Sequence, residues 1–152
     1  MPDKPSAYDK ALDLLARRSH FRRELGAKLA ARGYPENEID AALDRLAERG
    51  FVDDRETARQ WLEARLARGP EGRRRLSAEL IRRGADSEVI DEVLAEQLPE
   101  DDRPAAREAA ERWLRRRAGE PRPDALARHL ERKGFAPGTI RGLLEELGLW
   151  GD

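Results

Sequence analysis

The sequence predicts an all-α fold built from three tandem three-helix repeats of helix-turn-helix-like plan. Three observations predict it. First, one frame occurs three times: Leu25, Leu29, Gly33, Ile39 and Leu43; then Leu76, Leu80, Gly84, Ile90 and Leu94; then Leu126, Leu130, Gly134, Ile140 and Leu144. The offsets from the glycine (−8, −4, 0, +6, +10) are the same each time, and the glycines lie 51 and 50 residues apart. A period of that length marks one supersecondary module per repeat. Second, no run alternates polar and apolar residues with a period of two, and β-branched residues are scarce, so no strand is expected. Third, glycines, prolines and capping residues cut each repeat into three helical segments. The repeats are read as 1–50, 51–99 and 100–152.

In the first repeat, Tyr8–Arg18 carries Ala11, Leu12, Leu14 and Leu15 at helical spacing. Ser19 is the candidate cap of a second helix, Phe21–Arg32, with Phe21, Leu25 and Leu29 on one face. Gly33 suits the left-handed residue that ends a helix. Pro35 suits a first-turn position, and Glu36 and Glu38 favour a helix N-terminus electrostatically. The third helix runs to Arg49 and stops at Gly50.

In the second repeat, Asp53 or Asp54 caps a helix carrying Ala58, Trp61, Leu62 and Leu66. Gly69-Pro70-Glu71-Gly72 is a turn. Arg73–Arg83 follows with Leu76, Leu80 and Ile81 inside, and Asp86 or Ser87 caps the next helix, to about Gln97. The first helix of the third repeat follows the acidic break Leu98–Asp102, where an aspartate again precedes the helix as a cap. That helix, Arg103–Ala118, holds Ala106, Ala109, Ala110, Trp113 and Leu114. Asp124 caps a helix to Lys133, Pro137 opens the last one, and Trp150 folds back as an apolar latch. Positions −8 and −4 share one helix face, positions +6 and +10 share a face of the next, and the glycine turn brings the two together. Trp61 and Trp113, in matching first helices, close each small core.

Net charge is −1 over 152 residues, with 40% charged and 5% aromatic. The balance hides an alternation. Residues 10–32, 65–83 and 112–133 each sum to +5, while 33–63 sum to −5 and 84–111 to −8. The charge runs in step with the repeat. Absence of cysteine excludes disulfides and thiolate chemistry, and suits a cytoplasmic protein. Met1–Lys10 has no apolar run, so no signal peptide is read there. No segment approaches the roughly 20 apolar residues that span a bilayer, so no membrane partner is expected.

The motifs argue against an enzyme, a cofactor or a metal site. His20 and His129 are the only histidines, each in a basic stretch and without a carboxylate cluster at ligand spacing. Asp53-Asp54 and Asp101-Asp102 each stand before a helix, where a cap is the simpler role. Gly69–Gly72 is too short and too poor in glycine to cradle a phosphate.

The basic blocks are the candidate binding residues. They are Arg17, Arg18, Arg22, Arg23 and Lys28; Arg65, Arg68, Arg73, Arg74, Arg75, Arg82 and Arg83; and Arg112, Arg115, Arg116, Arg117, Arg128, Arg132 and Lys133. Two readings stand. Lined up along one side, they form a track for a phosphate backbone or an acidic protein groove. Alternatively, basic second helices pair with acidic third helices inside the fold. No aromatic is expected exposed among the arginines, so base stacking is not supported. In a helix-turn-helix the third helix reads the major groove. Here third helices carry Glu36, Glu38, Asp40, Asp44 and Glu48, or Glu88, Asp91, Glu92 and Glu96, which repel phosphate.

Three stretches resemble the RecX family in order and spacing. They are Ala11-Leu12-x-x-Leu15…Glu24-Leu25-x-x-Lys28-Leu29-x-x-x-Gly33; Gly50-Phe51-Val52-Asp53-Asp54-x-x-x-Ala58; and Gly69-x-x-Gly72-x-x-x-Leu76-x-x-Glu79-Leu80-x-x-x-Gly84. The resemblance implies an elongated, curved array of three-helix repeats. It implies a non-enzymatic regulator of homologous recombination and DNA repair that binds RecA and the RecA–ssDNA filament. It also implies inhibition of filament extension, strand exchange, ATPase and co-protease activities; some members bind DNA directly. A general DNA-binding helical protein is the alternative. No large exposed apolar seam is read from the sequence, which fits a monomer. The chain departs from the family pattern in carrying Phe21 where many members have a serine cap, and in being slightly acidic overall.

Overall fold

The computed structural model describes residues 3–150 and, among them, holds nine α-helices and no strand. They are α1 (Ala7–Arg17), α2 (Arg22–Ala31), α3 (Glu36–Glu48), α4 (Asp54–Arg68), α5 (Arg73–Arg83), α6 (Ser87–Gln97), α7 (Arg103–Arg115), α8 (Pro123–Arg132) and α9 (Pro137–Glu146). The all-α expectation holds, and the helices fall close to the segments read from the sequence.

The repeated glycines do what their place in the frame requires. Gly33, Gly84 and Gly134 have φ of +88°, +104° and +95°. After each, the next amide reaches back over the turn: Tyr34 to the Leu29 carbonyl, Ala85 to Leu80 and Phe135 to Leu130, at 3.0–3.3 Å. That bond satisfies a carbonyl left over at the helix end and needs a left-handed residue before it. The −4 leucine of the frame therefore both fills the core and accepts the closing bond.

The chain divides into two compact units. One takes the residues up to Gln60 together with Leu80–Ile90; the other takes Trp61–Glu79 and the residues from Asp91 onward. In the first unit, α1, α2 and α3 pack around Ala7, Ala11, Leu14, Leu25, Leu29, Ile39, Leu43 and Leu46, with Tyr34 and Val52 closing the cluster. In the second, α7, α8 and α9 pack around Ala106, Ala110, Trp113, Leu126, Leu130, Phe135, Ile140, Leu143 and Leu144. Small residues along α7 let its backbone come close to its neighbours, while leucines at helical spacing supply the apolar area.

Several local expectations are corrected. Ser19 does not cap α2; its hydroxyl donates to Gln60 instead, and Phe21 holds the cap position without a side-chain bond. The amide at the start of α2 is taken by Asp54, one residue beyond Asp53, which caps α4 by accepting from Glu56 at 3.2 Å. Asp102 occupies the cap of α7, but its carboxylate accepts from the Thr139 hydroxyl, and Asp101 takes the Arg103 amide. Asp124 lies inside the first turn of α8, paired with Arg128, while Arg122 holds the cap position. Ile81 is 60% exposed, because one step beyond Leu80 rotates a side chain off the buried stripe. Trp113 is buried as expected, but Trp61 is only half-buried, with the Arg65 guanidinium 5.4 Å from its ring. Trp150 is 51% exposed; Leu149 packs against the last core in its place, its amide bonded to the Leu144 carbonyl.

Candidate anion-binding site

The basic residues divide between the two units, and their surroundings differ. In the first unit Arg18, Arg22 and Arg23 are answered by carboxylates. Arg18 makes a two-pronged bond to Glu24, at 2.8 and 3.2 Å. Arg22 meets Asp44 at 2.6 Å, and Arg23 meets Asp86 at 3.0 Å. Arg22 and Arg23 therefore rim an open cavity shared with Glu36, Asp40 and Asp54, in which both signs of charge occur. The acidic third helix α3 pairs with the basic second helix α2 through Asp44 and Arg22, one of the two arrangements the charge alternation allows. Glu38 of the same helix is used differently, accepting from the Ala7 amide at the start of α1.

Arg17 and Arg18 lie around a smaller cavity with His20, Lys28 and Arg32. His20 is buried, with Nδ1 2.9 Å from the Arg18 carbonyl and Nε2 2.9 Å from the Lys28 ammonium. An ammonium only donates, so Nε2 accepts and Nδ1–H donates to the carbonyl. Burial pushes the His20 pKa down, and the Arg18 and Lys28 charges push it further against the carbonyl bond. The imidazole is a neutral structural link between the Arg18 carbonyl and the Lys28 ammonium.

The second unit has the less compensated cluster. A buried carboxylate braces its edge: Glu71 is 7% exposed and holds Arg65 at 2.6 Å and Arg75 at 3.1 Å. The Gly72 amide donates to the Lys133 carbonyl at 2.7 Å, and the Arg74 amide to the Gly134 carbonyl at 3.2 Å. A Cβ on Gly72 would lie 2.3 Å from the Gly134 backbone, so the approach is open only to glycine. This clasp fixes the α4–α5 turn against the α8–α9 turn. Arg75 then reaches the Arg132 carbonyl, and Arg75, His129, Arg132 and Lys133 line one cavity.

Beside it, Arg68, Arg112, Arg116, His129 and Lys133 surround a more enclosed cavity of about 160 Å³, walled by Gly69, Pro70 and Trp113. The end of α4, the end of α7 and the last turn of α8 supply these cations. Arg112 is held in place by Glu108 at 2.9 Å and by the Arg68 carbonyl. Arg117 lies over the Trp113 ring at 4.3 Å, a cation–π contact, and His129 lies 5.9 Å from the same ring. Among the described residues, Arg68, Arg116, Arg132 and Lys133 make no ion pair with a carboxylate. Burial lowers the pKa of His129, and the charges of Lys133, Arg132, Arg117 and Arg116 lower it further.

The remaining candidates are scattered. Arg73 and Arg74 are exposed in the first turn of α5, and Arg82 and Arg83 are exposed at its end. Arg115 donates to the Glu111 carbonyl, and Arg128 pairs with Asp124. Three participants were not singled out as site residues by the sequence: Glu71, Trp113 and the Gly72–Gly134 contact. The Glu71–Arg75 spacing of four was the available signal for the first. Nothing local in the sequence announced the glycine contact, because it joins turns 62 residues apart. Among the described residues no helix is long and apolar enough to cross a membrane.

Comparisons with known proteins agree on one family. Residues 7–46 match the family model described as RecX, first three-helix domain, and residues 53–94 match RecX, second three-helix domain. The regulatory protein RecX of Mycolicibacterium vanbaalenii is 49% identical over 84 residues, covering 55% of this chain and 46% of that protein. The one from Mycolicibacterium smegmatis is 37% identical over 136 residues, covering 85% of this chain and 72% of that protein. The matches span about half the length of several of these relatives. Two crystal structures share the fold. RecX from Lactobacillus salivarius aligns with a TM-score of 0.78 at 19% identity, over 95% of this chain and 96% of that one. A structure described as regulatory protein RecX aligns with a TM-score of 0.79 at 22% identity, over 91% of this chain and 71% of that one. On the two matched three-helix domains and the relative aligned over most of both lengths, the chain belongs to the RecX family.

Proposed function

We propose that this chain is a non-enzymatic regulator of homologous recombination and DNA repair that binds the RecA–ssDNA filament in the cytoplasm and lowers RecA activity. Family membership supports a regulatory role, since its relatives carry the name regulatory protein. The observation that carries the binding mode is the set of basic residues without carboxylate partners in the second unit: Arg68, Arg116, Arg132 and Lys133. Cations already answered inside the fold gain little from a partner, whereas these keep their field for an acidic surface or a phosphate backbone. Arg22 and Arg23 are assigned to folding on the same logic, because Asp44 and Asp86 hold them.

The test is RecA's DNA-dependent ATPase and filament length in the presence of the full chain. The parent protein should slow ATP hydrolysis and shorten filaments. Joint reversal of Arg116 and Lys133 to glutamate should weaken this more than joint reversal of Arg22 and Arg23, whose charges Asp44 and Asp86 already offset. An ATPase unchanged at saturating protein, with no filament binding, rejects the reading. A second reading is general DNA binding without a RecA role, favoured by the same unanswered cations. It requires tight, steeply salt-dependent binding to bare DNA, because each phosphate contact releases counterions.

A further inference from the structure

The enclosed cavity of the second unit has a chemistry narrower than a general basic surface. Its cations come from three separate helices, so no single helix face creates it. The Glu108 carboxylate is occupied by Arg112, and the Arg68 carbonyl takes a second bond from the same guanidinium. Arg112 is thus a fixed wall. Arg68, Arg116 and Lys133 have no carboxylate partner among the described residues. His129 is the neutral member, offering one ring N–H.

Size decides what fits. About 160 Å³ is well below the roughly 300–1,000 Å³ of pockets that hold drug-sized ligands. A nucleoside is excluded on volume, while a single phosphoryl or sulfuryl group is admitted. Gly69, Pro70, Ala109 and Trp113 form the uncharged part of the wall, and their apolar groups lower local screening.

We propose that this cavity is an oxyanion site that grips one phosphoryl group through Arg68, Arg116 and Lys133. The inference rests on the reading of the second unit as the binding surface and makes it specific: one phosphate is seated in the cavity and its neighbours are met only at the rim. The group can come from a nucleic-acid backbone or from free phosphate, and the chemistry of capture is the same.

His129 reports occupancy. Its imidazolium form is suppressed by the surrounding cations as well as by burial. An anion seated among them offsets those charges and raises its pKa. The groups that face it are Arg112 and Trp113 from α7, Arg116 and Arg117 just beyond its end, Arg132 and Lys133 nearby, Arg68 at the end of α4, and Arg75 of α5. The chain has only two histidines, and His20 is buried in the other unit with both ring nitrogens engaged.

The experiment is an NMR pH titration of both imidazoles in the full chain, with inorganic phosphate compared against sodium chloride at equal ionic strength. The expected result is a rise in the His129 pKa with phosphate, saturating with phosphate concentration, and no matching rise at His20. Arg116→Ala or Lys133→Ala should each weaken phosphate binding about tenfold, the loss of one charge-assisted hydrogen bond. A thymidine hexanucleotide should produce the same His129 shift at lower concentration if the source is a backbone, and a weaker one if it is free phosphate. Equal shifts at both histidines, no shift, or an effect reproduced by chloride overturns the site. If that happens while the chain still slows the RecA ATPase, the oxyanion site fails and the RecA reading survives. A saturable shift without any RecA effect upholds the oxyanion site and rejects the RecA reading.

Discussion

The Asp54 carboxylate accepts a hydrogen bond from the Arg22 amide at 2.8 Å, so the residue following the α4 cap serves as the cap of α2. The adjacent acids split their work. Asp53 takes the Glu56 amide at the head of its own helix, and Asp54 satisfies a helix 32 residues earlier. Removing the acceptor by Asp54→Ala is expected to cost about 0.5–2 kcal/mol, measured by urea denaturation. Asp54→Asn keeps an acceptor oxygen and should recover most of that. A loss equal to that of the alanine variant would remove the capping role.

The same carboxylate gives a pH signature. Burial pushes the Asp54 pKa up, against the Arg22 amide bond that lowers it; Asp86 raises it further, and the Arg22 charge lowers it. The folded state therefore holds this proton to higher pH than the unfolded chain does. Its contribution to stability is full below the unfolded carboxylate value, near 3.9, and falls as pH rises through the raised value. The difference between parent and Asp54→Asn should grow in favour of the variant over that window and then stay level. Thermal melts across the acid range check this.

His20 works in the opposite direction. Burial lowers its pKa, so the folded state releases the proton first. Its stability contribution is present above the unfolded value, near 6.5, and is lost as pH falls toward the lowered folded value. Replacing it by His20→Asn should flatten this acid-side decline. A slope as steep as the parent's would show that other groups set it.

Glu71 is the buried brace between Arg65 and Arg75. Glu71→Ala leaves the mostly buried Arg65 without its carboxylate, an expected loss of about 3 kcal/mol by chemical denaturation. The Arg75 side chain, at 38% exposure, adds little because water screens it. A loss within the ordinary range of a surface substitution would assign Glu71 no bracing role.

Gly72→Ala tests the clasp to the α8–α9 turn. A methyl group 2.3 Å from the Gly134 backbone cannot be relieved by turning a side chain. The two turns must separate, breaking the Gly72–Lys133 hydrogen bond. A destabilisation of about 3 kcal/mol is expected, at the upper end for overpacking. By contrast, Gly138→Ala meets no atom within 4 Å and should be nearly neutral.

Much of the fold was legible because its causes are local. The frame placed Gly33, Gly84 and Gly134 in left-handed turns, and leucines one helical turn apart marked the buried faces. Where local logic failed, a partner from elsewhere had taken the group. Ser19 reads from the sequence as the cap of α2, yet Phe21 holds that position and Asp54 supplies the acceptor from another helix. Trp61 and Trp113 hold matching positions in their sequences, but only Trp113 is buried. The basic blocks were legible as blocks; which arginines they left unanswered was not, because a side chain's pairing depends on what folds beside it.

The sequence by itself determined the helices, the turns that end them and the alternation of charge, since periodicity, capping and φ preferences act within a few residues. Only the tertiary structure decided which charges cancel. Arg22 finds Asp44 and Arg23 finds Asp86, whereas Arg68, Arg116 and Lys133 meet around a cavity without a free carboxylate. Coulomb interactions depend on distance in space, and the Gly72–Gly134 contact that helps set those distances joins turns far apart along the chain.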